Sequence, residues 1–324
     1  MFGEVVEYSK SGMEKARTVR ASLALSGIGL HSGEPVTLTI LPATAGTGIL
    51  FRRLDLLRAF DARSQAARIR DVTIKASPRA VTRTTLGTVI ANAEGASVST
   101  VEHLMAALAG AGIDHAICEL DGPEVPIMDG SSAPFTRAIQ RVGTRALPDD
   151  RRALAIRAPI RAELGDAWAE VAPLDPGEPL GCPIDLTVDY PDRLIGRQHL
   201  RLEGSRDAFV DEITAARTFC DLADVEAMRA QGLARGGSLE NAIVVSDGAI
   251  LNEDGLRFDG EFVRHKALDL IGDLHLLGRP ILGRVTAYKP GHALNTKLAA
   301  AIGDSSTAEL VTVPIARRRV LARA

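Results

Sequence analysis

EFVRHKALDLIGDL, residues 261–274, has the spacing of an amphipathic helix with a chemically unusual polar face. At about 100° per residue, His265 and Asp269 lie only about 40° apart around the axis, so an imidazole and a carboxylate leave one face a single turn apart. Val263, Ala267, Leu270, Ile271 and Leu274 gather on the other side, where they would pack against a core. That polar pair suits a metal ion. It equally suits a solvated ion-pair face, and the segment alone leaves both readings open.

A second segment, STVEHLMAALAGAG (99–112), also reads as a helix with an acid beside a histidine. Ser99 and Glu102 fit a capping box, in which serine and glutamate close the free amides of the first turn. That gives Glu102 a purely structural reading. His103 points about 100° away from Glu102, so the two neighbours would contribute differently to one site. If His103 converges with His265 and Asp269, the set is that of a catalytic zinc ion with a fourth position left for water. Glu102 would then reach the water rather than the metal, as in a metal-assisted hydrolase.

Six segments carry a resemblance to a known family: GIGLHSGEPVTLTILPA (27–43), STVEHLMAALAG (99–110), PIMDGSSAPF (126–135), AARTF (215–219), NEDGLRFDGEFVRHKALDLIGDL (252–274) and AYKPGHALN (287–295). In order and over most of the chain they resemble the zinc-dependent UDP-3-O-acyl-N-acetylglucosamine deacetylases, which commit Gram-negative bacteria to lipid A synthesis. The resemblance implies one zinc ion on His103, His265 and Asp269, Glu102 as general base and His292 as general acid. It implies Lys266 and Thr218 as groups that stabilise charge at the reacting carbonyl. It also puts His31, Phe219, Asp224, Val225, Met228 and Lys289 among the substrate contacts. The implied fold is α+β, two similar layered domains, each a sheet packed against helices, with the active site between them. No sequence period shows that duplication.

The implied substrate is a UDP-linked acylated amino sugar. The rival readings are a zinc amidohydrolase acting on another N-acyl sugar, and a non-catalytic ligand-binding relative. A binding module needs neither a base nor an acid, so Glu102 and His292 speak against the latter.

Composition agrees. A chain of 324 residues suits two domains. The net charge of −3 comes with dispersed basic residues, which argues against a nucleic-acid footprint. Cys118, Cys182 and Cys220 are odd in number and widely spaced, suggesting reduced structural thiols rather than disulfides or a cysteine zinc site. The amino terminus, MFGEVVEYSKSGMEKAR, lacks the apolar core of a signal peptide, and no run is long enough to span a bilayer. The expectation is a cytoplasmic, soluble monomer without stable membrane insertion, touching the membrane at most peripherally to take up a lipid-bearing substrate.

Along the chain, VTLTI (36–40) alternates as a half-buried strand, with GILFRRLD (48–55) as its expected partner. SSAPFTRAIQRVG (131–143) reads as a helix, and polar, proline-containing TRALPDDRR (144–152) as a linker. The domains are accordingly set at 15–145 and 151–324, the second carrying an acyl-passage insert. Gly27, Gly29 and Gly33 imitate a dinucleotide loop, but a strand rather than a helix follows, so they read as a turn. His31 in that turn is either a turn residue or a substrate contact on chemistry alone. His115, His199 and His275 receive no role.

His292 opens GHALNTKLAAAIG (291–303), a turn entering a helix, where the helix dipole disfavours a cation. A carboxylate would have to compensate, and Asp273, two turns along from His265 and rotated by about 80°, is the candidate. Lys266 could equally be a surface cation or a diphosphate contact. In TFCDLADVEAMRAQGLARGG (218–237), a short helix from Ala223 to Gln231 carries Val225 and Met228, flanked by Leu222 and Leu233. These would wall an apolar passage, or simply pack on the core. Asp221 and Ala234 stand where the family is more apolar or bulkier.

Overall fold

The computed structural model describes the backbone of residues 3–57, 69–191 and 194–321, and side chains within 12–57, 69–191 and 194–315. The expected domain spans also run through 58–68, 192–193 and 322–324, which lie outside the described residues. Two five-stranded sheets organise the chain. The first holds β1 (Leu23–Ile28), β2 (Pro35–Pro42), β3 (Ile49–Arg53), β4 (Thr73–Lys75) and β5 (Ala116–Leu120) in the order β1-β2-β5-β3-β4. The second holds β6 (Ile160–Leu164), β7 (Ala167–Ala172), β8 (Ile184–Asp189), β9 (Arg197–Leu202) and β10 (Arg284–Tyr288) in the order β6-β7-β10-β8-β9.

These are one topology used twice. In each sheet the last strand in sequence inserts between the second and third, antiparallel to one and parallel to the other, while the outer pairs are antiparallel. The duplication that no sequence period reveals is thus written in strand pairing. The VTLTI strand alternates as expected, burying Val36, Leu38 and Ile40. Its partner does not follow the expectation: β5 lies between β2 and β3, so GILFRRLD never touches VTLTI in the sheet.

Each sheet buries one face under helices. α1 (Glu102–Gly110) and α2 (Ala133–Val142) cover the first, with Leu104, Met105, Leu108, Phe135 and Ile139 packed on Leu38, Ile40 and Phe51. A short α3 (Arg206–Glu212), a peripheral α4 (Leu222–Ala230), α5 (Glu261–His275) and α6 (His292–Asp304) follow in the second half. There Leu268, Leu270, Leu298 and Ile302 pack on Val171, Leu186 and Val285. The fold is therefore α+β in two similar layers, and α1 packs along α5 where the layers meet.

Two local expectations change. The 144–152 segment is not a free linker, because Thr144–Asp150 pairs antiparallel with Lys15–Val19, its register slipping between Ala146 and Asp150 around Pro148. The first helix begins at Glu102, not beside Ser99, and no side chain caps it. Thr100 instead takes a left-handed backbone angle, φ 57°, and its hydroxyl donates to Glu124 at 2.8 Å, which carries Ser99 away from the helix start. Glu102 is thereby freed of any capping duty.

No helix among the described residues is long and apolar enough to cross a membrane. Cys118, Cys182 and Cys220 are free, and burial pushes the Cys118 and Cys182 thiols up to about 12, as inert structural thiols require.

Candidate active site

The site begins with a glycine. A Cβ on Gly272 of α5 would lie 2.1 Å from the carbonyl oxygen of Glu102, so the two helices can cross this closely only at a residue without a side chain. The crossing lays the first turn of α1 against the C-terminal part of α5. It buries the polar face of α5: His265, Asp269 and Asp273 are each at most 2% exposed. The solvated ion-pair reading of that helix is excluded.

His265 Nε2 lies 3.3 Å and His103 Nε2 3.7 Å from the same atom, Asp269 Oδ1, and the two rings meet edge to face at 5.0 Å. Candidate ligand atoms of the three residues all lie within 4.8 Å of one another. His265 Nδ1 donates to the carbonyl of Ala216 at 3.1 Å, which leaves the Nε2 lone pair turned toward the carboxylate. Asp269 Oδ1 is buried and has no hydrogen-bond partner among the described residues. A bare carboxylate oxygen faced by two imidazole nitrogens fits a metal ion.

The protonation states agree. Burial, then the neighbouring His265, pushes His103 down to about 3, and burial likewise lowers His265, so both rings are neutral, as a metal ion would require. Burial works against the charge of Asp269, yet His265 and Lys266 hold it far below the usual carboxylate range. Lys266 is itself mostly buried, and its Nζ donates to Asp269 Oδ2 at 2.8 Å and lies 5.3 Å from the Phe219 ring. Burial opposes its charge and Asp269 more than compensates, so it is no ordinary surface cation.

Beside the cluster stand an acid and a base in contact. His292, the first residue of α6, presents Nε2 at 3.8 Å from Glu102 Oε1 and 4.0 Å from Asp269 Oδ2. Its Nδ1 donates to Asp273 Oδ2 at 2.9 Å, so the carboxylate required to offset the helix dipole is in place. Burial disfavours the imidazolium, but Asp273, Asp269 and Glu102 together push its pKa up to about 10. Burial raises Glu102 to about 7, against the charge of His292. The pair is poised to hold and move protons near neutrality.

Asp273 is also held by Asn295 Nδ2 at 3.0 Å and by the Thr88 hydroxyl at 2.6 Å. Thr88 N–H donates to Glu102 Oε2 at 3.0 Å. Neither Thr88 nor Glu124, whose carboxylate accepts from the backbones of His31 and Ser32, was visible in the sequence as a site residue. A threonine within RTTLGT carries no pattern, and Glu124 lies just outside the recognised PIMDG segment.

The other candidates sit around this centre. Phe219 packs its ring against Phe262, His265 and Tyr190. Thr218, next to it, is tied through its backbone to Gly130, where any Cβ would strike the Asn241 carbonyl. Asp221 caps α4 by accepting from the Ala223 amide at 2.8 Å. No residue of α4 is buried, and Val225 and Met228 are half-exposed on it. The helix therefore does not pack a stripe into the core, and its apolar side chains are open to a ligand. Asp224 is exposed on the same helix.

His31 is buried in a turn shaped by Gly29 and Gly33, not in a dinucleotide loop. Its Nδ1 accepts from the Ala234 amide at 3.4 Å and its Nε2 donates to the Leu86 carbonyl at 2.9 Å, so it joins the first half to the insert of the second. Lys289 stands apart from the cluster, paired with Asp166 at 2.7 Å. A cavity of about 440 Å³ opens at the C-terminal ends of α1 and α5, against Gly110, Phe209, Leu274 and His275, and none of the clustered residues line it.

Residues 16–304 match the model of the UDP-3-O-acyl N-acetylglycosamine deacetylase family. The chain is 45% identical over 292 residues to the UDP-3-O-acyl-N-acetylglucosamine deacetylase of Photobacterium profundum, covering 90% of each chain. It is 44% identical over 304 residues to the enzyme of that name from Aliivibrio fischeri, covering 93% of this chain and 94% of the relative. A Shewanella relative of the same name is 45% identical over 288 residues, or 88% of this chain and 89% of its own length.

Proposed function

The chain belongs to the UDP-3-O-acyl N-acetylglycosamine deacetylase family, and from that premise we propose that the cluster of His103, His265 and Asp269 is its metal centre, with zinc as the ion. The reaction is hydrolysis of the N-acetyl group of UDP-3-O-acyl-N-acetylglucosamine, releasing acetate and the free amine, in lipid A biosynthesis. One observation carries the reading: a buried, unpaired Asp269 oxygen faces two neutral imidazoles, with a proton acceptor and a proton donor directly beside them.

A zinc ion on these three side chains would polarise the acetamide carbonyl and acidify the attacking water. Glu102, fixed by the Thr88 amide, takes the water's proton as its oxygen adds to the carbonyl carbon. Lys266, and Thr218 from just before the strand Phe219–Asp221, stabilise the oxyanion that develops, an effect of about 3 kcal/mol for a well-placed donor. His292, protonated against Asp273, gives its Nδ1-supported Nε2 proton to the departing nitrogen, and the C–N bond breaks to leave acetate and amine.

Phe219, Asp224, His31 and Lys289 are the proposed polar and aromatic contacts of the sugar nucleotide. Val225 and Met228, with Leu222 and Leu233, form the wall of the acyl passage, which the exposed position of α4 favours. The proposed domains are 15–145 and 151–324. The protein acts as a cytoplasmic monomer, meeting the membrane only peripherally to collect its substrate.

Mass spectrometry of the UDP-linked acyl sugar after incubation with the purified, zinc-loaded protein tests the reading. Loss of one acetyl group is expected. An unchanged substrate mass would favour a binding role, and acetyl loss only from other N-acyl sugars would favour another amidohydrolase.

A further inference from the structure

We infer that Thr88 is a positioning residue that locks the proton acceptor and the proton donor of the reaction into one geometry. The inference rests on the proposed roles of Glu102 and His292. Thr88 is fully buried, and its two polar groups go to the two arms of the site: the amide to Glu102 Oε2 at 3.0 Å, and the hydroxyl to Asp273 Oδ1 at 2.6 Å, behind His292. Because both donors belong to one residue, the spacing between the two carboxylates is fixed by covalent geometry rather than by independent contacts. Asn295 also holds Asp273, but it rides on α6 with His292 and cannot set that helix against the first half of the chain. Thr88 comes from the first half and can.

The segment around Thr88 is built to be held. Leu86 sits at φ 59°, a conformation that a residue with a side chain keeps only where the surroundings over-determine it, and Gly87 follows at φ 152°, which glycine adopts freely. A Cβ on Gly87 would come within 3.0 Å of Glu102 Oε1. The Leu86 carbonyl is taken by His31 Nε2 at 2.9 Å. Glu124, 1% exposed, in turn accepts from the amides of His31 and Ser32 at 3.0 and 2.9 Å and from the Thr100 hydroxyl. The clamp runs from Glu124 through His31 and residues 86–88 to both catalytic carboxylates. Among the described residues, no hydrogen bond joins it to the three proposed ligands.

The test uses the full-length, zinc-loaded protein. Thr88→Val keeps the amide and the shape but removes the hydroxyl. It is expected to lower kcat by about 10–100-fold, as loss of an outer hydrogen-bond partner does, with KM and zinc content at wild-type values and a thermal midpoint lowered by the buried Asp273 oxygen left without its donor. Thr88→Ser is expected to recover most of the rate.

Since the hydroxyl acts through Asp273, Thr88→Val combined with Asp273→Asn is expected to be no slower than the slower single variant. A kcat within about twofold of wild type in Thr88→Val, or multiplicative losses in the double variant, overturns the inference. Should Thr88→Val fail to fold, Thr88→Ala gives the same comparison, and wild-type kcat there overturns it equally. If Glu102→Gln and His292→Gln both keep full activity, the underlying reading falls along with this one. If both are slow while Thr88→Val is unimpaired, only this one falls.

Discussion

The two halves of the molecule share a sheet topology and a helical layer, yet they contribute unequally to the site. The first half gives Glu102 and His103 from the start of α1. The second gives His265, Lys266, Asp269 and Asp273 from successive turns of α5, and His292 from α6. Between its fourth strand and its covering helix, each half also inserts a small three-stranded sheet, made of Val81–Arg83, Val89–Ala91 and Ser97–Val98 in one and of Phe219–Asp221, Ile243–Ser246 and Ala249–Ile250 in the other. The first insert carries Thr88, which supports the proton-transfer pair. The second carries Phe219 and leads into α4, with Val225 and Met228 half-exposed on it. A repeated scaffold thus assembles the His103, His265 and Asp269 cluster where its two copies meet, while in the proposed reading the unlike inserts divide catalytic support from substrate recognition.

The largest expected effect comes from the residues that break this division at its centre. Glu102→Gln is expected to keep the metal and lose roughly 10²–10⁴-fold in rate, the usual size of general-base catalysis. With Glu102 raised to about 7 and His292 to about 10, kcat/KM should rise as Glu102 ionises and fall as His292 loses its proton. The positive charge of a bound metal draws both limbs to lower pH, and the limbs belong to the coupled pair. His292→Gln should flatten the alkaline limb, and Asp273→Asn should move it to lower pH, since losing the negative charge makes the imidazolium easier to deprotonate. A full wild-type bell in His292→Gln would instead make Glu102 the carrier of both protons.

Next in size is the seam between the halves. Gly272→Ala places a methyl group against the Glu102 carbonyl. It should cost about 1–3 kcal/mol, as overpacking does, and slow catalysis by displacing α1 from α5. Calorimetric unfolding together with kcat reads both effects, and an unshifted midpoint with normal kcat would show that the crossing is not tight.

The smallest effect should lie in the second insert. Val225→Asp puts a charge where hydrocarbon is expected, so KM for the acylated substrate should rise by about tenfold, with metal content and fold intact. Unchanged kinetics would move the acyl passage away from α4.

The legible part of the molecule was its local periodicity. The alternation of VTLTI and the one-turn spacing of His265 and Asp269 are properties of neighbouring residues, and each appears in the structure as read. What the sequence concealed depends on distant partners. The insertion of β5 between β2 and β3 joins strands more than sixty residues apart, and Thr144–Asp150 is paired by a segment near residue 15. The start of α1 shifts because Glu124, 24 residues on, captures Thr100. Burial of the α5 polar face rests on one glycine crossing, and Thr88 gains its place only through two carboxylates that other elements bring to it.

Zinc stoichiometry tests the central claim most directly, because the proposed ligands come from both halves. Elemental analysis of the purified protein, after removal of weakly bound metal, should give about one zinc per chain. Removing one ligand from either half, as His103→Ala or as Asp269→Ala, should lose the metal together with activity. Full zinc occupancy in both variants would contradict a centre shared across the two halves.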